Sequence, residues 1–135
     1  MLLLLFNNTN AANIGDATGL RGSTTAGSLY VSLHTADPGE AGSQTTNEIG
    51  YTSYARVAVA RSSGGWTVTN NSVSPTAAIT FPAGTGGSGT ASYFGVGTAS
   101  SAAGVLLYSG TVTPNIVCGN GVTPQLTTAT AITED

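Results

Sequence analysis

A chain of 135 residues with 3 cationic and 6 acidic side chains and a net charge of −3 lacks the basic stripe that binding to nucleic acid demands. The cations are Arg21, Arg56 and Arg61, and there is no lysine. Cys118 stands alone, which excludes an intramolecular disulfide, and one histidine with one cysteine makes a poor zinc ligand set.

Nineteen glycines and abundant serine and threonine describe a β-rich chain with many turns. The charged fraction of 7% is far below the roughly 25% of ordinary soluble domains. The β-branched content argues against disorder. The composition is instead that of a compact domain with much of its outer surface buried in an assembly, where charge is costly to desolvate. The length fits one core. We divide the chain into an apolar N-terminal arm and loop, residues 1–27, and a single β-sandwich domain, residues 28–135.

The chain opens M-L-L-L-L-F, Met1 to Phe6. The run is too short for a secretory signal or a membrane span and has no basic flank, so no membrane partner is expected. It is expected to form a short helix or arm, docked on its own domain or across a subunit boundary. Leu2, Leu3, Leu4, Leu5 and Phe6, together with Trp66, are therefore the candidate interface residues. Asn7 to Gly27 is polar and glycine-punctuated, with one loose helical turn expected within Ala11–Leu20.

Ser28 to His34 alternates Leu29, Val31 and Leu33 with Tyr30, Ser32 and His34, the pattern of a strand with one buried face. Asp37-Pro38-Gly39 stops it. Ala36 to Ser53 is a long loop carrying Asp37, Glu40 and Glu48, and long loops in compact domains usually bear function or contacts. Further strands are expected at Tyr54–Arg61, at Trp66–Thr69 and Ser72–Ser74 around an Asn70-Asn71 turn, and at Ala78–Phe81. Ala91–Gly97 and Gly104–Thr113 read as hairpin arms joined by Thr98–Ala103. Asn115–Cys118 and Gln125–Ile132 follow, separated by Gly119-Asn120-Gly121. Short strands spaced by turn signals predict an all-β fold, an antiparallel β-sandwich or jelly-roll-like barrel, with a short apolar N-terminal helix or arm.

The segments S-L-Y-V-S-L-H-T-A-D-P-G (28–39), Y-A-R-V-A-V-A-R (54–61), A-I-T-F-P (78–82), Y-F-G-V-G-T-A-S-S (93–101) and G-V-L-L-Y-S-G (104–110) form a set. In order and spacing the set resembles a family of small tailed-bacteriophage virion proteins, some labelled tail fibre-like. The resemblance runs from about Leu29 to Thr113, and the leucine-rich start departs from the more polar helix that opens other members. It implies a non-enzymatic structural protein of the virion, assembled in the bacterial host cytoplasm. Within that class, low charge and a long mid-chain loop fit a capsid cement or decoration protein bridging neighbouring capsomers. Its partners would then be the major capsid protein and copies of itself. The alternative is a tail adaptor, collar or fibre-like receptor-binding component, the one case in which carbohydrate is an expected ligand.

Candidate chemistry is sparse, and no catalytic residue, cofactor or metal is expected. His34 and Asp37 are close in sequence but have no nucleophile at a recognisable spacing, so a turn cap and a strand-end hydrogen bond are the expected roles. Asp16, Asp37, Glu40 and Glu48 lack the spacing of a calcium loop. Gly84 to Gly89 has no lysine and no following helix, which leaves a flexible loop rather than a phosphate cradle. Trp66, Tyr54, Tyr93, Phe94 and Tyr108 could make a sugar-stacking platform, or could serve as core and interface anchors.

Overall fold

The first helix forms because Leu2 to Phe6 are good helix formers with an apolar face to bury. In the computed structural model, which describes residues 1–11, 22 and 24–134, it is α1 (Leu2–Asn7). The strands are β1 (Ser28–His34), β2 (Val57–Ala60), β3 (Trp66–Thr69), β4 (Ser72–Pro75) and β5 (Ile79–Thr80). They continue with β6 (Ser88–Gly97), β7 (Leu106–Gly119), β8 (Gln125–Leu126) and β9 (Ile132–Thr133). Sheet orders are β2-β1-β6-β7, β3-β4-β9 and β5-β8. Among the described residues the chain is β-rich and antiparallel with one short N-terminal helix, consistent with an all-β sandwich. Apart from Ala11, the helical turn expected within Ala11–Leu20 falls outside the described residues. Among the described residues no helix is long and apolar enough to cross a membrane.

Two compact units make up the chain: Met1–Ser28 with Val59–Ala78 and Thr127–Asp135, and Leu29–Ala58 with Ile79–Leu126.

In the first unit α1 packs on β3 and β4. Leu2, Phe6, Trp66 and Val73 are buried, and Phe6 meets Trp66 edge-on at 4.8 Å. Each large side chain so buried contributes about 1.5–3 kcal/mol, which explains why six helical residues hold their place. Asn8 ends the helix at φ 55°, a left-handed cap that asparagine tolerates. Arg61 then ties the helix end down, donating from Nε to the Leu5 carbonyl at 2.7 Å and from Nη2 to the Leu4 carbonyl at 2.9 Å. Its Nη1 reaches the Ala26 carbonyl at 3.1 Å. Asn70-Asn71 makes the expected two-residue turn, since Thr69 pairs with Ser72.

In the second unit β1 pairs antiparallel with β6, Val31 opposite Val96 and Leu33 opposite Phe94. Leu29, Val31 and Leu33 are buried, as their alternation requires. Ser32 and His34, on the opposite face, are buried too, each 0% exposed. The 43–49 loop runs along β1 and meets the His34 side chain: the Ile49 amide bonds the Leu33 carbonyl, and the Thr46 carbonyl lies 2.8 Å from His34 Nδ1. The expected strands Gly104–Thr113 and Asn115–Cys118 are one, β7, running through Pro114 at the sheet's edge, where a missing amide donor is tolerated. The expected strand at Tyr54 starts only at Val57, because Tyr54 and Arg56 are committed elsewhere.

Candidate functional site

In the second unit Ser32, His34, Gln44, Glu48, Tyr54 and Arg56 gather in one node. Arg56 donates from Nε and Nη2 to the two carboxylate oxygens of Glu48, each at 2.7 Å, the bidentate geometry that a planar guanidinium favours. The pair is internal: the Arg56 side chain is 3% exposed and that of Glu48 15%. Tyr54 adds a third bond, donating its hydroxyl to Glu48 Oε1 at 2.9 Å and accepting from the Leu33 amide at 3.1 Å. Burial raises the Tyr54 pKa well above the usual phenol range, so the hydroxyl stays a donor. The hydrogen bonds to Glu48 raise the Arg56 pKa further.

His34 occupies the same node. Its Nδ1 lies 2.8 Å from the Thr46 carbonyl, which can only accept, so Nδ1 carries the proton. Nε2 is then the acceptor for the Ser32 hydroxyl at 2.8 Å. Burial lowers the His34 pKa below its ordinary value, and the ring is neutral. A serine hydroxyl against a histidine nitrogen is the geometry of general-base activation, but both side chains are shut off from solvent. The pair can link β1 to the 43–49 loop; it cannot meet a substrate.

The remaining bonds of the node point outward, to the hairpin loop between β6 and β7. Arg56 Nη1 donates to the Ala99 carbonyl at 2.9 Å and Nη2 to the Ala102 carbonyl at 2.7 Å. Buried Gln44 accepts from the Ala99 amide at 2.9 Å, and the Gln44 amide bonds the Ala103 carbonyl at 2.8 Å. The F-G-V-G segment makes room for this. A Cβ on Gly95 would lie 2.7 Å from His34 Nε2 and 2.8 Å from Ser32 Oγ. One on Gly97 would run into the Gln44 side chain and the Val105 carbonyl. Ala102 sits at φ 60°, a backbone state that a Cβ disfavours, and the Arg56 bond to its carbonyl holds it there. The result is an exposed loop of small residues, Ser100 to Val105, fastened from behind by buried groups.

Other sequence candidates take up other roles. Leu2, Phe6 and Trp66 are buried inside the first unit, Leu4 and Leu5 are half-buried, and Leu3 is 50% exposed beside the open Met1. Asp37 Oδ1 accepts from the Gly39 amide at 2.9 Å, the expected turn cap. Asp16 lies outside the described residues, and among those described no cluster of acidic, histidine or cysteine side chains could hold a metal ion. The Gly84–Gly89 stretch is a pinned segment rather than a flexible loop. The Gly84, Thr85 and Gly121 amides bond the Val122, Thr52 and Gly84 carbonyls at 2.8–3.1 Å.

The five aromatics do not form a platform either. Trp66 and Phe94 are core residues, half-buried Tyr54 is a tether, and Tyr93 and Tyr108 stay half-buried on β6 and β7.

Sequence reading missed Gln44, and it missed the pairing of Glu48 with Arg56. The signal for the pair was present, because a buried role is a natural use for one of three cations in so neutral a chain. Gln44 gave none. The node joins three of the segments noted above: His34-Thr35-Ala36-Asp37, Tyr54-Ala55-Arg56, and Phe94 through Ala99.

A family model described as Podophage GP4 fiber I protein gp80 matches residues 6–132, nearly the whole chain. The chain belongs to this family. Membership in the gp80 fibre family makes it a structural component of a phage virion, and the matched range covers every segment of the node. No curated protein matches the chain.

Proposed function

We propose that the protein is a fibre-like component of the phage tail, whose second unit presents the loop between β6 and β7 as a contact surface. The observation that carries this reading is the fibre-family match over residues 6–132. The node supports it. Surface loops are usually the mobile part of a domain, and here an internal ion pair and a buried glutamine hold one still. Rigidity of that kind lowers the ordering cost of binding. The role is non-enzymatic: the Ser32–His34 pair acts as a structural link. Copies of itself and neighbouring tail proteins are the proposed partners. The cement reading, with the major capsid protein as partner, has the same composition behind it but not the family's fibre description.

Counting copies in purified particles by quantitative mass spectrometry, with immunogold labelling, tests the assignment. A tail-level copy number with gold at the tail is expected. Shell-level copy number with gold over the head would overturn it and restore the cement reading.

A further inference from the structure

Helix α1 keeps its shape by being docked. It has 6 residues, no side-chain bond at its N-cap, no acid in its first turn and no base in its last. A helix so short does not persist alone in water. Its docking is also imperfect, because the buried atoms Trp66 Nε1 and Asn7 Oδ1 have no hydrogen-bond partner among the described residues. From these we infer that α1 is an exchangeable arm, which leaves its seat on β3 and β4 and docks in the same seat of a second copy. The inference rests on copies of this chain being partners, not on where in the particle they stand.

Opening of the arm is a local event. The contacts that hold it all lie in the first unit: Phe6 against Trp66, the buried Leu2, and the Arg61 bonds to the Leu4 and Leu5 carbonyls. The Met1 amine adds only a long pair with Glu134, at 4.0 Å and partly exposed on both sides. A buried donor and a buried acceptor without partners cost free energy in the docked state, and undocking returns both to water. An element held in this way opens without unfolding the whole chain.

The opened seat fixes its occupant. It uncovers Trp66 and leaves Arg61 Nε and Nη2 without their acceptors. Whatever fills it must bring a ring edge-on to Trp66, a second apolar side chain one turn away and two adjacent backbone carbonyls for one guanidinium. Phe6, Leu2 and the Leu4-Leu5 carbonyls bring all of these. The other phenylalanines, Phe81 and Phe94, are buried in the second unit. The fit is therefore this arm or an identical one. A second copy's arm makes the same contacts, so the closeness of the copies decides the exchange. Residues 8–27 link the arm to β1 and can span up to about 65 Å when extended, enough to reach a neighbour. The docked arm leaves Met1 62% and Leu3 50% exposed, apolar surface that an adjoining copy would cover.

Energy transfer between whole chains tests this. The wild-type chain supplies Trp66, its one tryptophan, as donor. A Trp66→Phe chain carries a dansyl acceptor on Leu3→Cys, an exposed position, while Cys118 is 1% exposed and escapes the label. On mixing, transfer should grow with time and with protein concentration, no faster than the amides of residues 2–7 exchange with solvent. Phe6→Ala in the labelled arm should cut transfer about tenfold or more by removing the ring that anchors it. Phe6→Leu should cut it less, and replaces the alanine variant if circular dichroism finds that one unfolded. No transfer, exchange of residues 2–7 only on global unfolding, or transfer unchanged in the folded variants overturns the proposal. The last result would mean copies that touch without exchanging arms. Tail labelling without transfer removes the exchange alone. Transfer with head labelling removes the fibre-like reading alone.

Discussion

Replacing Arg56 with methionine tests whether the node holds the hairpin loop. The guanidinium makes four bonds, three of 2.7 Å and one of 2.9 Å, and its side chain is 3% exposed. Methionine keeps much of the stem's volume and removes all four. Glu48 then keeps only the Tyr54 hydroxyl for a carboxylate that is 15% exposed. The Ala102 carbonyl, in an exposed residue, can turn to water, so its loss is the smaller part. Removing one partner of a buried pair costs about 3–5 kcal/mol, because the other charge is left uncompensated. Against a total domain stability of about 5–15 kcal/mol, that is enough to lower the urea midpoint visibly. Arg56→Lys should recover little, since an ammonium cannot reproduce the fork. Adding Glu48→Met to Arg56→Met should return part of the loss, because it removes the stranded charge. Urea unfolding by far-UV circular dichroism gives the total, and amide exchange at residues 98–105 locates it. Trp66 fluorescence reports the first unit and serves as an internal control. A loss below about 1 kcal/mol, the range of an exposed pair, with unchanged exchange in the loop, would refute the reasoning.

Three further outcomes are expected. His34 has a folded pKa below its ordinary 6.5, so as pH falls through that value the unfolded chain takes up the proton first. Its stabilising contribution is full above the unfolded pKa and is lost as pH falls towards the folded one. Urea midpoints between about pH 5 and 8 should show this slope in wild type and a flatter one in His34→Gln, with Glu48, Arg56 and Tyr54 as the neighbouring charged and titratable groups. Gly97→Ala drives a methyl into Gln44 and should cost about 1–3 kcal/mol by overpacking, read as a lowered urea midpoint and faster exchange at Ala99. Phe6→Ala removes a ring that is 0% exposed and packs on Trp66, and should cost about 3–5 kcal/mol, with the Trp66 emission shifting to the red.

The fold class was legible because alternation and turn residues act locally. Leu29, Val31 and Leu33 declare one buried face, Asn70-Asn71 declares a two-residue turn, and the structure has both. Opposite faces were harder. The polar set on β1 reads as solvent-facing, and nothing near Ser32 or His34 announces that both will be buried or that residues 43–49 will meet His34. Burial of that face is a tertiary event that a two-residue period cannot encode. Strand ends failed for a related reason. Y-A-R-V-A-V-A-R has one uninterrupted β pattern, yet Tyr54 and Arg56 gain more from Glu48 than from a ladder, so β2 starts late. The glycines of F-G-V-G could be read as turn residues; their actual use is to let His34, Ser32 and Gln44 approach the backbone of β6.

The scarcity of charge also takes a more specific meaning from the structure. Composition alone pointed to a surface hidden in an assembly. Of the 3 cations, the two in described residues are both internal fasteners. Arg61 closes the end of α1, and Arg56 closes the loop between β6 and β7. Each satisfies backbone carbonyls that their own elements leave open, a task that suits a rigid guanidinium better than a solvated ammonium. A chain that uses its arginines this way has none left, among the described residues, to steer encounters by charge. Under the proposed role, contacts through the β6–β7 loop would use shape and neutral hydrogen bonds, which salt screens little and which gain most from a surface already held in place. That requirement gives one physical reason for an internal ion pair to stand behind an exposed loop of alanine, serine and glycine.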